Sequence, residues 1–75
     1  MAFSYNKLWK ILIDKNMNKT ALRDVIGITP STLARLSKNQ NVTMEVLGKI
    51  CEEFQCDIGD IVEYVHSENN KAEKR

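Results

Sequence analysis

The stretch that decides the fold is KTALRDVIGITPSTLARLSKNQN, residues 19–41. Apolar residues recur at helical spacing on both sides of Gly27, which indicates two short helices rather than one long helix. Gly27 ends the first helix, because glycine adopts the left-handed backbone conformation without a side-chain penalty. Thr29 caps the second helix, and Pro30 occupies its first position, where a missing N–H has no cost. The stretch is therefore predicted to form a helix, a sharp turn and a second helix.

Helical periodicity also predicts the elements on either side of this stretch. A first helix over residues 5–15 follows a cap at Ser4, and a fourth helix follows a cap at Thr43. A last short helix is predicted after Asp57, and no segment shows the sustained alternation of a strand. The expected fold class is all-α, with five helices in one domain over residues 1–66.

The apolar stripes of these helices predict the core. The inward-facing side chains are expected to be Leu8, Trp9, Ile11 and Leu12, then Leu22, Val25 and Ile26, then Leu33 and Leu36, and then Leu47, Ile50, Cys51 and Phe54, while the last helix carries Ile58, Ile61, Val62 and Val65. Residues 67–75 carry several charges and no apolar side chain larger than alanine. Such a composition is typical of a disordered tail.

Length and composition indicate a small single-domain protein. The chain has 75 residues, of which 43% are hydrophobic and 28% charged, close to the lower size limit for folding without disulfides or metals. No apolar run reaches the roughly 18 residues of a membrane span, and the first residues lack the features of a secretory signal. The expected location is cytoplasmic.

The two cysteines, Cys51 and Cys56, are too few for a disulfide framework, and with His66 they do not make a zinc set. We expect both to be reduced core or near-core side chains, with no metal and no cofactor. An enzyme that uses either thiol with His66 is disfavoured. The sequence offers no activating base, no phosphate-binding glycine loop and no paired carboxylate site.

Charge is distributed unevenly along the chain. The net charge is only +1, but residues 1–41 contain seven basic and two acidic side chains, a net +5. Residues 42–75 contain four basic and eight acidic side chains, a net −4. Because the basic half contains the two-helix stretch, this asymmetry favours a polyanionic partner for that stretch.

Two short helices joined by a glycine-containing turn form a helix-turn-helix unit, here residues 19–38, whose second helix enters the DNA major groove. The apolar pattern around Gly27 resembles the core of the phage-repressor and Cro family of bacterial regulators, also called the Xre family. The residues that carry this resemblance are Leu22, Ile26, Ile28, Leu33 and Leu36. The ending VTMEVLGKICEEFQCDIGDIVEYV is similar to that of very small Xre-like regulators. The resemblance covers residues 4–65 and implies the five-helix DNA-binding domain of that family.

One position departs from the family pattern. The family usually places alanine or another small residue directly after the position of Leu22, and this chain has Arg23. Either the stem of Arg23 lies along apolar surface with its head in water, or the two helices cross at a slightly different angle.

The third helix is expected to present polar side chains to DNA. If Leu33 and Leu36 face inward, the open side of the helix carries the base-reading candidates Ser31, Thr32 and Arg35. A planar guanidinium can read guanine through two hydrogen bonds, worth about 1–3 kcal/mol of discrimination. The DNA backbone is expected to contact Lys19, Thr20, Lys38, Asn39, Gln40 and Asn41. These positions match the usual contact points of the family.

These observations predict a sequence-specific transcriptional regulator that binds double-stranded DNA, a repressor by expectation, with no enzymatic activity and no evident small-molecule ligand. A homodimer on a palindromic site would supply affinity, with an apolar face of the last helix near Tyr64 and Val65. The alternative is a protein-interaction module of the same fold, such as an antitoxin or anti-repressor. Binding to several phosphates weakens steeply with salt, whereas binding to a protein partner need not.

Overall fold

The computed structural model describes residues 2–66. Within this range the elements are β1 (Ala2–Ser4), α1 (Asn6–Asp14), α2 (Lys19–Ile26), α3 (Pro30–Ser37), α4 (Met44–Phe54), a 3-10 turn (Ile58–Asp60) and β2 (Glu63–Val65). In this part of the chain no helix is long and apolar enough to cross a membrane. The predicted charged tail, residues 67–75, lies outside the described residues.

The predicted helix, turn and helix are confirmed. The Asn18 side chain caps α2 by accepting a hydrogen bond from the Ala21 N–H at 2.7 Å, and Gly27 ends α2 in the left-handed conformation with φ 74°. Thr29 caps α3, and Pro30 is its first residue. Each boundary is therefore set by the local chemistry that the sequence displays.

The fourth helix and the turn that follows it also begin at predicted caps. Thr43 Oγ1 accepts a hydrogen bond from the Val46 N–H at 3.2 Å at the start of α4. Asp57 caps the 3-10 turn, and an Asp60 carboxylate oxygen accepts in return from the Asp57 N–H at 2.9 Å. This reciprocal pair stabilises a single turn.

The core lies where α2 packs against α3 and α4. Its buried hydrophobic members are Tyr5, Leu8, Leu12, Leu22, Ile26, Leu36, Leu47, Ile50 and Ile61. Ile11, Cys51, Phe54, Ile58 and Val62, half-buried, pack against them. Leu33 is half-buried as well. The prediction that Val25 faces inward is wrong, because 49% of it is exposed.

The prediction of five helices without strands is wrong, although the mainly helical class is confirmed. In place of a fifth helix the chain forms the 3-10 turn and then β2, which pairs antiparallel with β1. The β2 segment and its neighbours are rich in β-branched and aromatic residues, which favour extended backbone. Three-residue strands are too short for alternation to be recognised in the sequence.

The first helix begins later than predicted. Ser4 belongs to β1 and is buried, and α1 starts at Asn6, with Tyr5 as the flanking residue. Ser4 Oγ still accepts a hydrogen bond from the Asn6 N–H at 3.2 Å. The pairing of β1 with β2 holds Ser4 in extended backbone, so that the helix starts two residues after it.

Candidate nucleic-acid interface

The start of α3 carries a cluster of three hydroxyl groups. Thr29 Oγ1 accepts a hydrogen bond from the Thr32 N–H at 3.2 Å. The same oxygen lies 3.0 Å from Thr32 Oγ1 and 3.3 Å from Ser31 Oγ. Two of the three predicted base-reading side chains are thus linked to the residue that caps their helix.

The exposed side of α3 carries the other predicted residues. Ser31, Arg35 and Lys38 are exposed, whereas Thr32 is half-buried. Ala34 and Ser37 are exposed on the same helix. Because Leu36 is fully buried, one side of the helix packs against the core. The polar side chains on the opposite side are free to contact a ligand.

A cleft of about 290 Å³ lies between α3 and the start of α4. Its lining includes three predicted contact residues, Thr32, Arg35 and Asn41. Thr43, the cap of α4, lines the same cleft. The structure therefore brings Arg35, the positively charged candidate for base readout, close to Asn41 in the loop after α3.

The loop after α3 has a defined conformation. Asn39 adopts the left-handed conformation with φ 58°, its N–H donates to the Leu36 carbonyl oxygen at 3.2 Å, and the Gln40 N–H donates to the Arg35 carbonyl oxygen at 2.8 Å. This pair of hydrogen bonds is the Schellman ending of a helix. Asn39, Gln40 and Asn41 are all exposed, so the fixed backbone still leaves their surfaces accessible.

The same loop is bound from the other side by Tyr5. The Tyr5 N–H donates to Asn39 Oδ1 at 3.1 Å, and the Tyr5 hydroxyl donates to the Gln40 carbonyl oxygen at 2.8 Å. Burial raises the pKa of the Tyr5 hydroxyl, so it stays protonated and able to donate well above neutral pH.

The start of α2 places a second set of polar groups at the surface. Lys19 and Thr20, both predicted to contact the DNA backbone, are exposed in its first turn. The Lys19 ammonium lies 4.4 Å from the centre of the Trp9 ring. A cation over an indole face is stabilised by the negative potential of the ring. Trp9 therefore holds the Lys19 side chain beside α1.

Arg23 takes the first of its two predicted arrangements. Its side chain is 33% exposed, and a guanidinium nitrogen lies 3.3 Å from a carboxylate oxygen of Asp24, which is 66% exposed. Two thirds of the side chain is therefore covered, while its guanidinium pairs with an exposed carboxylate. An exposed pair of this kind contributes little to stability.

The two cysteines lie near each other at the end of α4. Both are free and half-buried. Burial, and then the neighbouring Cys51, raise the pKa of the Cys56 thiol. A thiol that stays protonated at neutral pH is a poor nucleophile, which disfavours an enzyme that uses Cys56.

Sequence reasoning missed the roles of three residues that support this surface: Thr29 as the centre of a hydroxyl cluster, Tyr5 as the buried anchor of a loop, and Trp9 as the partner of Lys19. Thr29 could have been found, because its cap position places it one turn before Thr32. Tyr5 and Trp9 had no local signal, because their partners are distant in the chain.

The fold and the exposed polar helix define a helix-turn-helix DNA-binding protein. The profile of the Cro/C1-type HTH DNA-binding domain matches residues 7–67, and the chain belongs to this family. Among solved structures it is similar to that of the transcriptional regulator VanUg (Form II), with 55% sequence identity, 83% of each chain covered and a TM-score of 0.80. No curated protein gives a significant match.

Proposed function

We propose that the chain is a sequence-specific transcriptional regulator whose α3 enters the major groove of duplex DNA, with residues 1–66 as its DNA-binding unit. The observation that carries the proposal is the exposure of Ser31, Arg35 and Lys38 on the second helix of a Cro/C1-type unit. The second helix of such a unit is the one that lies in the groove.

Base readout is assigned to Arg35, with Ser31 and Thr32 at the start of the helix. Arg35 is exposed one turn beyond Ser31, and its guanidinium can donate two hydrogen bonds to guanine O6 and N7. The hydroxyls of Ser31 and Thr32 can donate to or accept from base edges, because a hydroxyl does both.

Backbone contacts are assigned to the two ends of the helix-turn-helix unit. Lys19 and Thr20 lie at the first turn of α2, and Lys38 with the loop residues Asn39, Gln40 and Asn41 lies at the end of α3. Amide N–H groups, hydroxyls and ammonium groups all donate to phosphate oxygens. Contacts at two separate points would fix the register of α3 in the groove.

We assign the regulation of transcription by analogy with the transcriptional regulator VanUg, and we propose repression as the direction. A domain of this size that covers its site can block access of other proteins to the same duplex. The alternative of an antitoxin or anti-repressor is not favoured, because the family is a DNA-binding one.

A homodimer is part of the proposal. The residues named for it, Tyr64 and Val65, lie on β2 rather than on a helix and are 39% and 43% exposed. Phe3 on β1 is 43% exposed, and its ring packs edge-on against that of Tyr64 with centres 5.3 Å apart. Light scattering after size-exclusion chromatography tests this, and a monomer at high concentration would reject the dimer.

Selection of bound duplexes from a random pool tests the main proposal. We expect the wild-type protein to select a defined half-site, and Arg35→Ala to lose preference at one position of that half-site. Lys38→Ala should weaken binding to all duplexes and lower the salt slope by about one. Lys10→Ala, on the exposed side of α1, is the control for loss of one positive charge and should change neither property.

Two outcomes would reject the proposal. The first is failure of the wild-type protein to bind any duplex, and the second is binding that is indifferent to salt, since contacts to several phosphates weaken steeply as salt rises. Unchanged preference in Arg35→Ala would reject the assignment of Arg35 alone.

A further inference from the structure

We propose that Tyr5 is a positioning residue for DNA binding: its hydroxyl and its backbone N–H together hold the loop after α3 so that the Asn39 amide nitrogen donates to a backbone phosphate. This inference rests on the proposed function and names a residue outside the helix-turn-helix unit. Tyr5 donates to the loop after α3 from its buried hydroxyl and from its backbone N–H.

The two hydrogen bonds that Tyr5 donates end on one two-residue segment. Its N–H donates to Asn39 Oδ1 at 3.1 Å and its hydroxyl donates to the Gln40 carbonyl oxygen at 2.8 Å. Tyr5 itself is 3% exposed. A residue that is packed in the core and donates from both its backbone and its side chain can hold the segment in a single position.

The segment is also fixed from the side of α3. The N–H groups of Asn39 and Gln40 donate to the Leu36 and Arg35 carbonyl oxygens in the Schellman ending. Arg35, the base-reading candidate, thus shares a backbone hydrogen bond with the residue that Tyr5 anchors. The loop and α3 would approach DNA as one rigid unit.

The bond from the Tyr5 N–H decides which way the Asn39 amide faces. A backbone N–H can only donate, so the Asn39 oxygen must face Tyr5. The Asn39 nitrogen then lies on the other branch of the amide, and this residue is exposed. A phosphate only accepts hydrogen bonds, so a nitrogen held outward is the group suited to bind it.

The hydroxyl of Tyr5 has a complementary effect on Gln40. It donates a hydrogen bond to the Gln40 carbonyl oxygen and so keeps this oxygen directed toward Tyr5. If the peptide were turned outward, the partial negative charge of the oxygen would repel a phosphate. A loop that is already ordered in the free protein also loses less conformational freedom on binding. Both effects favour the complex without any contact between Tyr5 and DNA.

The test is a double-mutant cycle of Tyr5→Phe and Asn39→Ala on a duplex that the wild-type protein selects. Phenylalanine keeps the buried ring and removes only the hydroxyl that donates to the Gln40 carbonyl oxygen. Affinity is measured over a range of salt concentrations, with circular dichroism at the assay temperature to show that each variant is folded.

We expect Tyr5→Phe to lose about 3- to 10-fold in affinity, as for one hydrogen bond. The salt slope should stay unchanged, because a neutral amide releases no counterion, in contrast to Lys38→Ala. The double variant should lose less than the sum of the two single losses, because the hydroxyl acts in part by holding the Asn39 amide in place. Wild-type affinity in folded Tyr5→Phe, or fully additive losses, would overturn the proposal.

A second variant tests the orientation of the amide without altering Tyr5. Asn39→Asp keeps an oxygen to accept from the Tyr5 N–H but places a carboxylate oxygen where the nitrogen was. We expect a loss of affinity of about 10-fold or more, because the new charge repels phosphate. Asn16→Asp, also at φ 58°, is the matched control and should lose much less. Equal losses in the two variants would overturn the assigned orientation.

These outcomes separate the inference from the proposed function. If the wild-type protein binds duplex DNA with steep salt dependence and Tyr5→Phe binds equally well, only the role of Tyr5 fails. If the wild-type protein binds no duplex, the proposed function fails before the cycle begins.

Discussion

The hydroxyl oxygens of Thr29 and Thr32 lie 3.0 Å apart at the start of α3. Thr29 Oγ1 already accepts from the Thr32 N–H, so one residue both caps the helix and contacts a side chain assigned to base readout. Ser31 Oγ lies 3.3 Å from the same oxygen. The stability of the helix start and the orientation of its hydroxyls therefore depend on a single side chain.

Two replacements of Thr29 should separate the effect of its hydroxyl on stability from the effect of its side-chain volume. Thr29→Val has the same shape without the hydroxyl and should lower the free energy of unfolding by about 1 kcal/mol, the usual cost of a lost cap. Thr29→Ser retains the oxygen and should lose only a few tenths of that amount. Urea unfolding followed by circular dichroism measures both values. Equal stability of the two variants would contradict the cap at Thr29.

Two glycines should respond in opposite directions to alanine. Gly48 lies within α4, is exposed, and has no heavy atom within 4 Å of the site of an added Cβ. Gly48→Ala should therefore stabilise the protein by about 0.5–1 kcal/mol, because alanine loses less backbone freedom in a helix. Thermal unfolding should show a midpoint higher by roughly 2–8 °C.

Gly27→Ala is the counterpart at the turn. The φ of 74° at Gly27 places a Cβ against the following carbonyl oxygen, although the space around it is open. We expect a loss of about 1–2 kcal/mol, measured in the same thermal experiment. A stabilising effect of alanine at this position would contradict the left-handed turn between α2 and α3.

Stability at alkaline pH should depend on Tyr5. Burial raises the pKa of its hydroxyl above the ordinary value of 10.0 in the folded state, so the folded state holds the proton more tightly than the unfolded state. The contribution to stability is fully present below about pH 10 and is lost as the pH rises through the folded pKa.

Urea titrations of wild type and Tyr5→Phe at several pH values measure this effect. The phenylalanine variant lacks the group, so the stability difference between wild type and variant should shift against the wild type from about pH 9 to about pH 11. Because the two proteins are otherwise identical, the contributions of all other groups to the pH dependence should largely cancel. A difference that stays constant over this range would contradict the raised pKa.

Fluorescence of Trp9 should report on Lys19. The chain contains one tryptophan, and the Lys19 ammonium lies 4.4 Å from the centre of its ring. If Lys19 turns to a phosphate on binding, the emission of Trp9 should change when a selected duplex is added. Lys19→Met should remove most of this change at saturating DNA, whereas Lys10→Ala should retain it. An undiminished change in Lys19→Met would show that Lys19 does not leave the ring.

Much of the helix-turn-helix region could be predicted from the sequence, because its determinants are local. Asn18, Gly27 and Thr29 each act within one helical turn of their own position. The burial of Leu22 and Leu36 follows from spacing alone. The prediction that Val25 faces inward was wrong, because an apolar residue at the edge of a helical stripe can remain exposed.

The rest of the molecule depends on pairs of residues far apart in the chain. β1 and β2 pair with each other although they lie at opposite ends of the described range, and Tyr5 is 34 residues from Asn39. Neither contact leaves a periodic pattern. The buried position of Tyr5 could be guessed from its aromatic ring, but its two hydrogen-bond partners are set by how α3 ends in space.

The strand pair has a consequence for the order of folding. Its residues Ala2 and Val65 are paired across nearly the whole described chain, whereas the helices form from neighbouring residues. Contacts between distant segments form late, because closing a long loop costs chain entropy. Tyr5 directly follows β1. In a chain whose helices have formed but whose strands have not yet paired, α3 would be exposed before Tyr5 anchors the loop that follows it. We expect the competence to bind DNA to be acquired in the last kinetic step rather than with the recognition helix.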